Sequence, residues 1–93
     1  MSKYYMIVCD DLRESIDPSY VNDLGCKAYP IAHPDHPFGA LVIYAMLNSW
    51  CGKSVRLVND EIYEVDYYYY KDITKGLIDS YNFNYRVSLN YTP

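Results

Sequence analysis

Asp10 and Asp11 follow an apolar run at residues 4–9. Adjacent carboxylates at the carboxyl end of a strand are suited to a hard cation such as Mg²⁺, which gathers several oxygens at close range. His33, Asp35, His36 and Cys26 carry the atom types that bind zinc, but their spacing is not a pair-and-pair pattern. Pro34 and Pro37 also make that stretch a rigid connector with solvated histidines. Neither group predicts a resident metal, and no cofactor is expected. The three cysteines, at positions 9, 26 and 51, form no close pair. An odd count in a chain without an evident signal peptide predicts free thiols in a reducing compartment. No third group is identifiable that would orient a cysteine–histidine pair, so small buried hydrophobes are the expectation. Gly52, Lys53 and Ser54 copy the end of a phosphate-binding loop, but they close a helix where that loop would open one, so no array of backbone N–H groups would meet a phosphate.

The placement of Asp10 and Asp11 resembles the acid pair of two-component receiver domains, over residues 6–11 alone. The resemblance implies metal-dependent phosphate chemistry. It supplies the alternative reading of the chain, a small metal-dependent phosphate-binding protein or enzyme using the Asp10–Asp11 pair.

The leading candidate surface is the acidic, tyrosine-rich stretch at residues 60–70. On a strand Tyr63, Val65, Tyr67 and Tyr69 share one face, leaving Glu64, Asp66, Tyr68 and Tyr70 on the other. With Glu61, these residues form the predicted partner-binding strip: Glu61, Glu64, Asp66, Tyr68 and Tyr70. The rings offer contact area at low entropic cost and the acids select a basic partner. Alternate strand residues lie about 6.8 Å apart, a spacing at which Glu64 and Asp66 could imitate successive phosphates of DNA.

Composition supports a contact protein. Thirteen of the 93 residues are tyrosine, a side chain that joins a large apolar ring to a water-tolerant hydroxyl. The net charge of −4 lacks the positive field that holds a nucleic-acid backbone, so direct nucleic-acid binding is not expected. With 51% hydrophobic and 22% charged residues the chain can form a core, and its length suits a single domain over residues 1–93.

These candidates need elements to hold them. Residues 4–9 are apolar on both alternating faces and predict a central strand covered on both sides. Asp17 and Pro18 read as an N-cap and first helical position, with Gly25 as the stop of a short helix over 18–24. Residues 26–31 predict a short edge strand, restricted by Pro30. Residues 38–51 are nearly all apolar and predict a helix ended by Gly52, too short to span a bilayer. Such a helix must be covered by the 11–37 segment or by a second copy of the chain. Residues 54–58 and 61–70, separated by Asn59 and Asp60, read as a hairpin. Asp72 then offers an N-cap to a helix carrying Ile73, Leu77 and Tyr81. The alternation of Phe83, Tyr85, Val87, Leu89 and Tyr91 predicts a half-buried strand.

The predicted fold is therefore α+β, an antiparallel sheet of about four strands with two helices in ferredoxin-like (split βαβ) order, carrying an insertion after the first strand. The predicted function is that of a small, acidic, non-enzymatic interaction protein, an inhibitor or adaptor that binds a protein with a basic surface, with homodimerisation an open option. It is expected to be soluble and cytoplasmic. In size, acidity and lack of catalytic motifs the chain resembles the small accessory proteins with which phages inhibit host defence and nucleic-acid machinery. That resemblance implies a viral protein acting in the host cytoplasm, DNA mimicry being one form of such inhibition.

Overall fold

Residues 4–22, 31–59 and 69–93 are described by the computed structural model of the chain. Strand β1 (Tyr5–Cys9) lies between two other strands of the sheet. It pairs antiparallel with β2 (Glu14–Ile16) and with β3 (Val55–Asn59), and a short β4 (Lys71–Asp72) adds to β2 in parallel. The sheet order is β3-β1-β2-β4. Two helices, α1 (Phe38–Leu47) and α2 (Thr74–Tyr85), pack against each other beside the sheet. None of the described helices is long and apolar enough to cross a membrane.

Side chains on β1 alternate between two cores. Cys9 joins Ile16, Val21, Phe38, Leu41, Tyr44, Ala45, Trp50, Leu77 and Ile78, with Ile7 packed against them. Met6 and Val8 point the other way and meet Val58 and Tyr70. Cys9, buried, and Cys51, exposed, are free thiols.

The α+β class with four strands and two helices holds, but the sheet is mixed, and three differences separate it from the ferredoxin-like order. First, the 11–37 segment does not merely interrupt the order. Arg13, at φ 53, turns the chain back after β1, and Glu14–Ile16 becomes the sheet's second strand. Second, β3 pairs with β1. The other arm of the expected hairpin lies outside the described residues as far as Tyr68, and Tyr69 and Tyr70 are not in a strand. Third, the alternating stretch from Phe83 is no strand. Tyr81 and Tyr85, one helical turn apart, pack edge-on against Tyr44 with ring centroids 5.3 and 5.6 Å away, which holds the chain helical to Tyr85. Arg86 then takes a left-handed conformation at φ 54 and ends α2. Asn82 supplies what a strand partner would have supplied, since its side chain both donates to the Leu89 carbonyl and accepts from the Leu89 N–H, each at 2.9 Å. Among the described residues, an isolated bridge to Val21 at Tyr91 is the one strand-like pairing of this stretch.

The cap at Asp17 is where the sequence places it, and that of α2 is displaced by one residue. Asp17 accepts from the Ser19 N–H at 2.9 Å and Pro18 opens a 3₁₀ turn, Pro18–Tyr20, shorter than the expected helix, with residues 23–30 outside the described set. The expected edge strand over 26–31 falls on those residues too, except Ile31, which is helical. The N-cap of α2 is Ile73 and not the expected Asp72, which stands one residue earlier and accepts from both the N–H and the hydroxyl of Thr74 at the first helical position. The Thr74 hydroxyl in turn accepts from the Asp17 N–H at 2.9 Å, tying the end of β2 to the start of α2. Helix α1 stops at Leu47, four residues before the expected end. The chain unwinds there so that Trp50, 1% exposed, can turn into the core, its N–H still reaching the Ala45 carbonyl at 2.9 Å. Gly52 then adopts φ 72, a conformation other residues take at a cost, and leads into β3.

Candidate interaction site

Two polar clusters stand out among the described residues. The first contains the aspartate pair. Asp10 accepts from Arg56 Nε at 2.8 Å, from a terminal guanidinium nitrogen of Arg56 at 3.3 Å, and from the Tyr70 hydroxyl. Asp11 turns away and accepts from the Ser54 N–H at 2.7 Å, while the Asp10 N–H donates to the Ser54 carbonyl. The two carboxylates therefore fasten the start of β3 to the end of β1. Hydrogen bonds from Arg56, then from Tyr70, hold the Asp10 carboxyl below its ordinary pKa. The same pairing raises that of Arg56. Burial, then the bond to Asp10, pushes the Tyr70 phenol up. A cation at Asp10 would have to displace a guanidinium, and the described residues include no group of three metal-ligating side chains. His33 and His36 meet edge-on at 5.4 Å, and the Nδ1 of His33 accepts from the Asp35 N–H. Cys26, their proposed fellow ligand, lies outside the described residues.

Of the predicted partner-binding strip, Glu61, Glu64, Asp66 and Tyr68 lie outside the described residues, and Tyr70 does not stand on an exposed face. It is 6% exposed, packed on Met6, Val8 and Val58, because its ring completes the small core on the outer side of the sheet while its hydroxyl reaches Asp10. Its neighbour Tyr69 is the exposed one, with the Arg13 guanidinium stacked 4.6 Å above its ring. The alternation expected of the strip is thus reversed at these two residues.

The second cluster lines a cleft of about 470 Å³ between the end of α1 and the first half of α2. Tyr44, Ile73 and Leu77 form its apolar part, and Gly76 leaves its wall open. Glu14, Lys71 and Asp72 bring charge to its sheet side, with Asn48, Ser49 and Ser80 around the rim. Glu14 and Lys71 are direct neighbours across β2 and β4. The Trp50 indole donates to Glu14 Oε1 at 2.8 Å, which fixes the carboxylate through one of its oxygens. Asp72 uses one oxygen, Oδ1, to accept from Thr74 at the start of α2. Lys71 makes no ion pair among the described residues. The Tyr44 hydroxyl is shared with Ser80 Oγ and accepts from Asn84, both at 2.6 Å, so it is a wall rather than an open donor.

No protein-family model, curated protein or solved structure matches the chain. The cleft's chemistry therefore has to speak for itself.

The sequence reading missed this site. Glu14 stood inside a segment treated as an insertion, and Asp72 was read only as a cap. One signal did point to it: a lone tryptophan in an apolar run needs an acceptor for its indole N–H once buried, and a nearby acid is the natural one.

Proposed function

We propose that the protein is a non-enzymatic interaction module, of inhibitor or adaptor type, that binds a protein partner through a basic side chain received in the cleft between α1 and α2. The observation that supports this is that Glu14, whose carboxylate accepts from the Trp50 indole, and a second acid, Asp72, both line the same partly apolar cleft. A lysine or arginine of the partner would lay its aliphatic stem along Leu77 and Ile73 and set its charged head between the two acids. Lys71 repels that head and makes the site selective for a cation that can reach past it. Glu61, Glu64, Asp66 and Tyr68 add acids and a phenol to the same preference for a basic surface. The net charge of −4 steers such a partner inward from a distance.

Trp50 is the only tryptophan and touches the cleft's carboxylate, so its emission reports on occupancy. A short arginine-rich peptide should change that emission saturably, and the same peptide with citrulline, a neutral isostere of arginine, should not. Added salt should weaken the response. Equal responses to the two peptides would overturn the proposal.

A further inference from the structure

Helix α1 carries no charged residue, and among the described residues only one side of it is covered. Phe38, Leu41, Tyr44 and Ala45 are buried, whereas Met46 is 41% exposed, Ile43 54% and Leu47 68%, with Gly39 and Ala40 also exposed. At 100° per residue these five residues make one unbroken apolar arc about 120° wide. Gly39 has no reason to be glycine inside this chain, because a Cβ there would meet nothing within 4 Å. Glycine weakens a helix, and a place for it follows if another backbone or side chain comes close.

The arc is complementary to itself. Small residues, Gly39 and Ala40, stand at one end and large ones, Met46 and Leu47, at the other, with Ile43 at the midpoint of both pairs. We propose that α1 pairs antiparallel with α1 of a second copy, about a two-fold axis passing at Ile43. That axis sets Gly39 opposite Leu47 of the second copy and Ala40 opposite its Met46, filling each small end with a large one, while Ile43 meets its own counterpart. The arc presents on the order of 400 Å² of apolar surface, the size at which exposed patches mark contacts. Two arcs together remove roughly twice that, under the about 1,200 Å² below which complexes are weak and transient. The dimer is accordingly a weak one, in exchange with monomer. Two molecules of net charge −4 repel each other, so salt strengthens the pairing through screening. This is opposite in sign to the salt effect on a basic peptide in the cleft, which adjoins the same helix at Tyr44 and Asn48 but is lined by none of the five residues of the arc.

Sedimentation equilibrium over a concentration series tests it. The mass should rise from 10.9 kDa toward twice that value, and the rise should begin at lower concentration in high salt. Ile43→Glu, at an exposed position, should leave the fold and Tm intact and hold the mass at the monomer value. Gly39→Leu has room in the monomer and should weaken association at least ten-fold. In a Cys51→Ser background, Ile43→Cys should cross-link two copies under mild oxidation and Leu47→Cys should not. A monomer mass at every concentration in high salt, an Ile43→Glu variant that still associates, or cross-linking through position 47 in place of 43 would overturn the proposal.

Discussion

The two polar clusters are built from the same parts and end in opposite states. Around Asp10 there are two carboxylates, a cation and a phenol: Asp10, Asp11, Arg56 and Tyr70. Around the cleft there are Glu14, Asp72, Lys71 and Tyr44. In the first cluster every charged group is answered inside the molecule, Asp10 by a guanidinium and Asp11 by a backbone N–H. In the second, Lys71 has no ion pair among the described residues, and each carboxylate is bonded through one oxygen only, Glu14 to the Trp50 indole and Asp72 to Thr74. The difference is geometric. Arg56 faces Val8 across β1 and β3, and its fork reaches sideways to Asp10 with two bonds. Lys71, beside Glu14 on a parallel edge strand, carries a point charge and no such fork. Net acidity is therefore a poor guide to where a basic partner binds, because part of it is neutralised locally.

The largest expected effect falls on the satisfied cluster and is structural. Tyr70→Ala removes a buried ring from a core of few members and should cost about 3 kcal/mol of stability or more, read as a lowered urea midpoint. Tyr70→Phe keeps the ring and loses only the hydroxyl's bond to Asp10, so the cost should fall to about 1 kcal/mol. A Tyr70→Ala variant as stable as the wild type would return Tyr70 to the partner-binding strip.

The next effect separates the two clusters by function. Glu14→Gln keeps an oxygen to accept from Trp50 and removes the charge, and it should weaken arginine-peptide binding roughly ten-fold, the loss of one charge-assisted contact. Asp10→Asn removes the same formal charge and should leave binding unchanged within about two-fold, since Asp10 already faces Arg56. Lys71→Ala should tighten binding. Equal losses in Glu14→Gln and Asp10→Asn would mean that net charge, and not the cleft, governs recognition.

What the sequence reveals of this comparison follows the range of each signal. The cap at Asp17 and the bond from Thr74 to Asp72, one residue off the expected N-cap, are legible because they act within two residues, and β1 is legible because two apolar faces demand two covers. The assignment of Glu14–Ile16 to the sheet is not legible, because three residues carry no period and the strand exists through its neighbours β1 and β4. Residues 83–91 show the converse failure. Their period of two is genuine in the sequence, but Tyr44 stacking against Tyr81 and Tyr85 favours helix and Asn82 satisfies the Leu89 backbone, so tertiary contacts override the pattern. Tyr70 misleads for a similar reason. An alternation argument assumes strand geometry, and neither Tyr69 nor Tyr70 is in a strand.

The smallest effect concerns acid. Asp10 has its pKa lowered in the folded protein by the bonds from Arg56 and Tyr70, from an ordinary value of 3.8. A carboxyl with a depressed folded pKa contributes stability above its unfolded value and loses that contribution as the pH falls through the folded one. Wild type should therefore be more stable than Asp10→Asn at neutral pH, and the gap should close progressively below about pH 4. Its size is modest, because the Asp10 side chain is 36% exposed and Arg56 50%, so water screens the pair. Tyr70 acts at the other extreme. Its raised pKa favours the folded state while the phenol is neutral, and that contribution declines above about pH 10 as the unfolded chain ionises first. Urea midpoints of both variants measured from acid to neutral pH isolate the Asp10 part. A gap that persists undiminished well below pH 4 would show that Asp10 supports the fold through shape rather than charge.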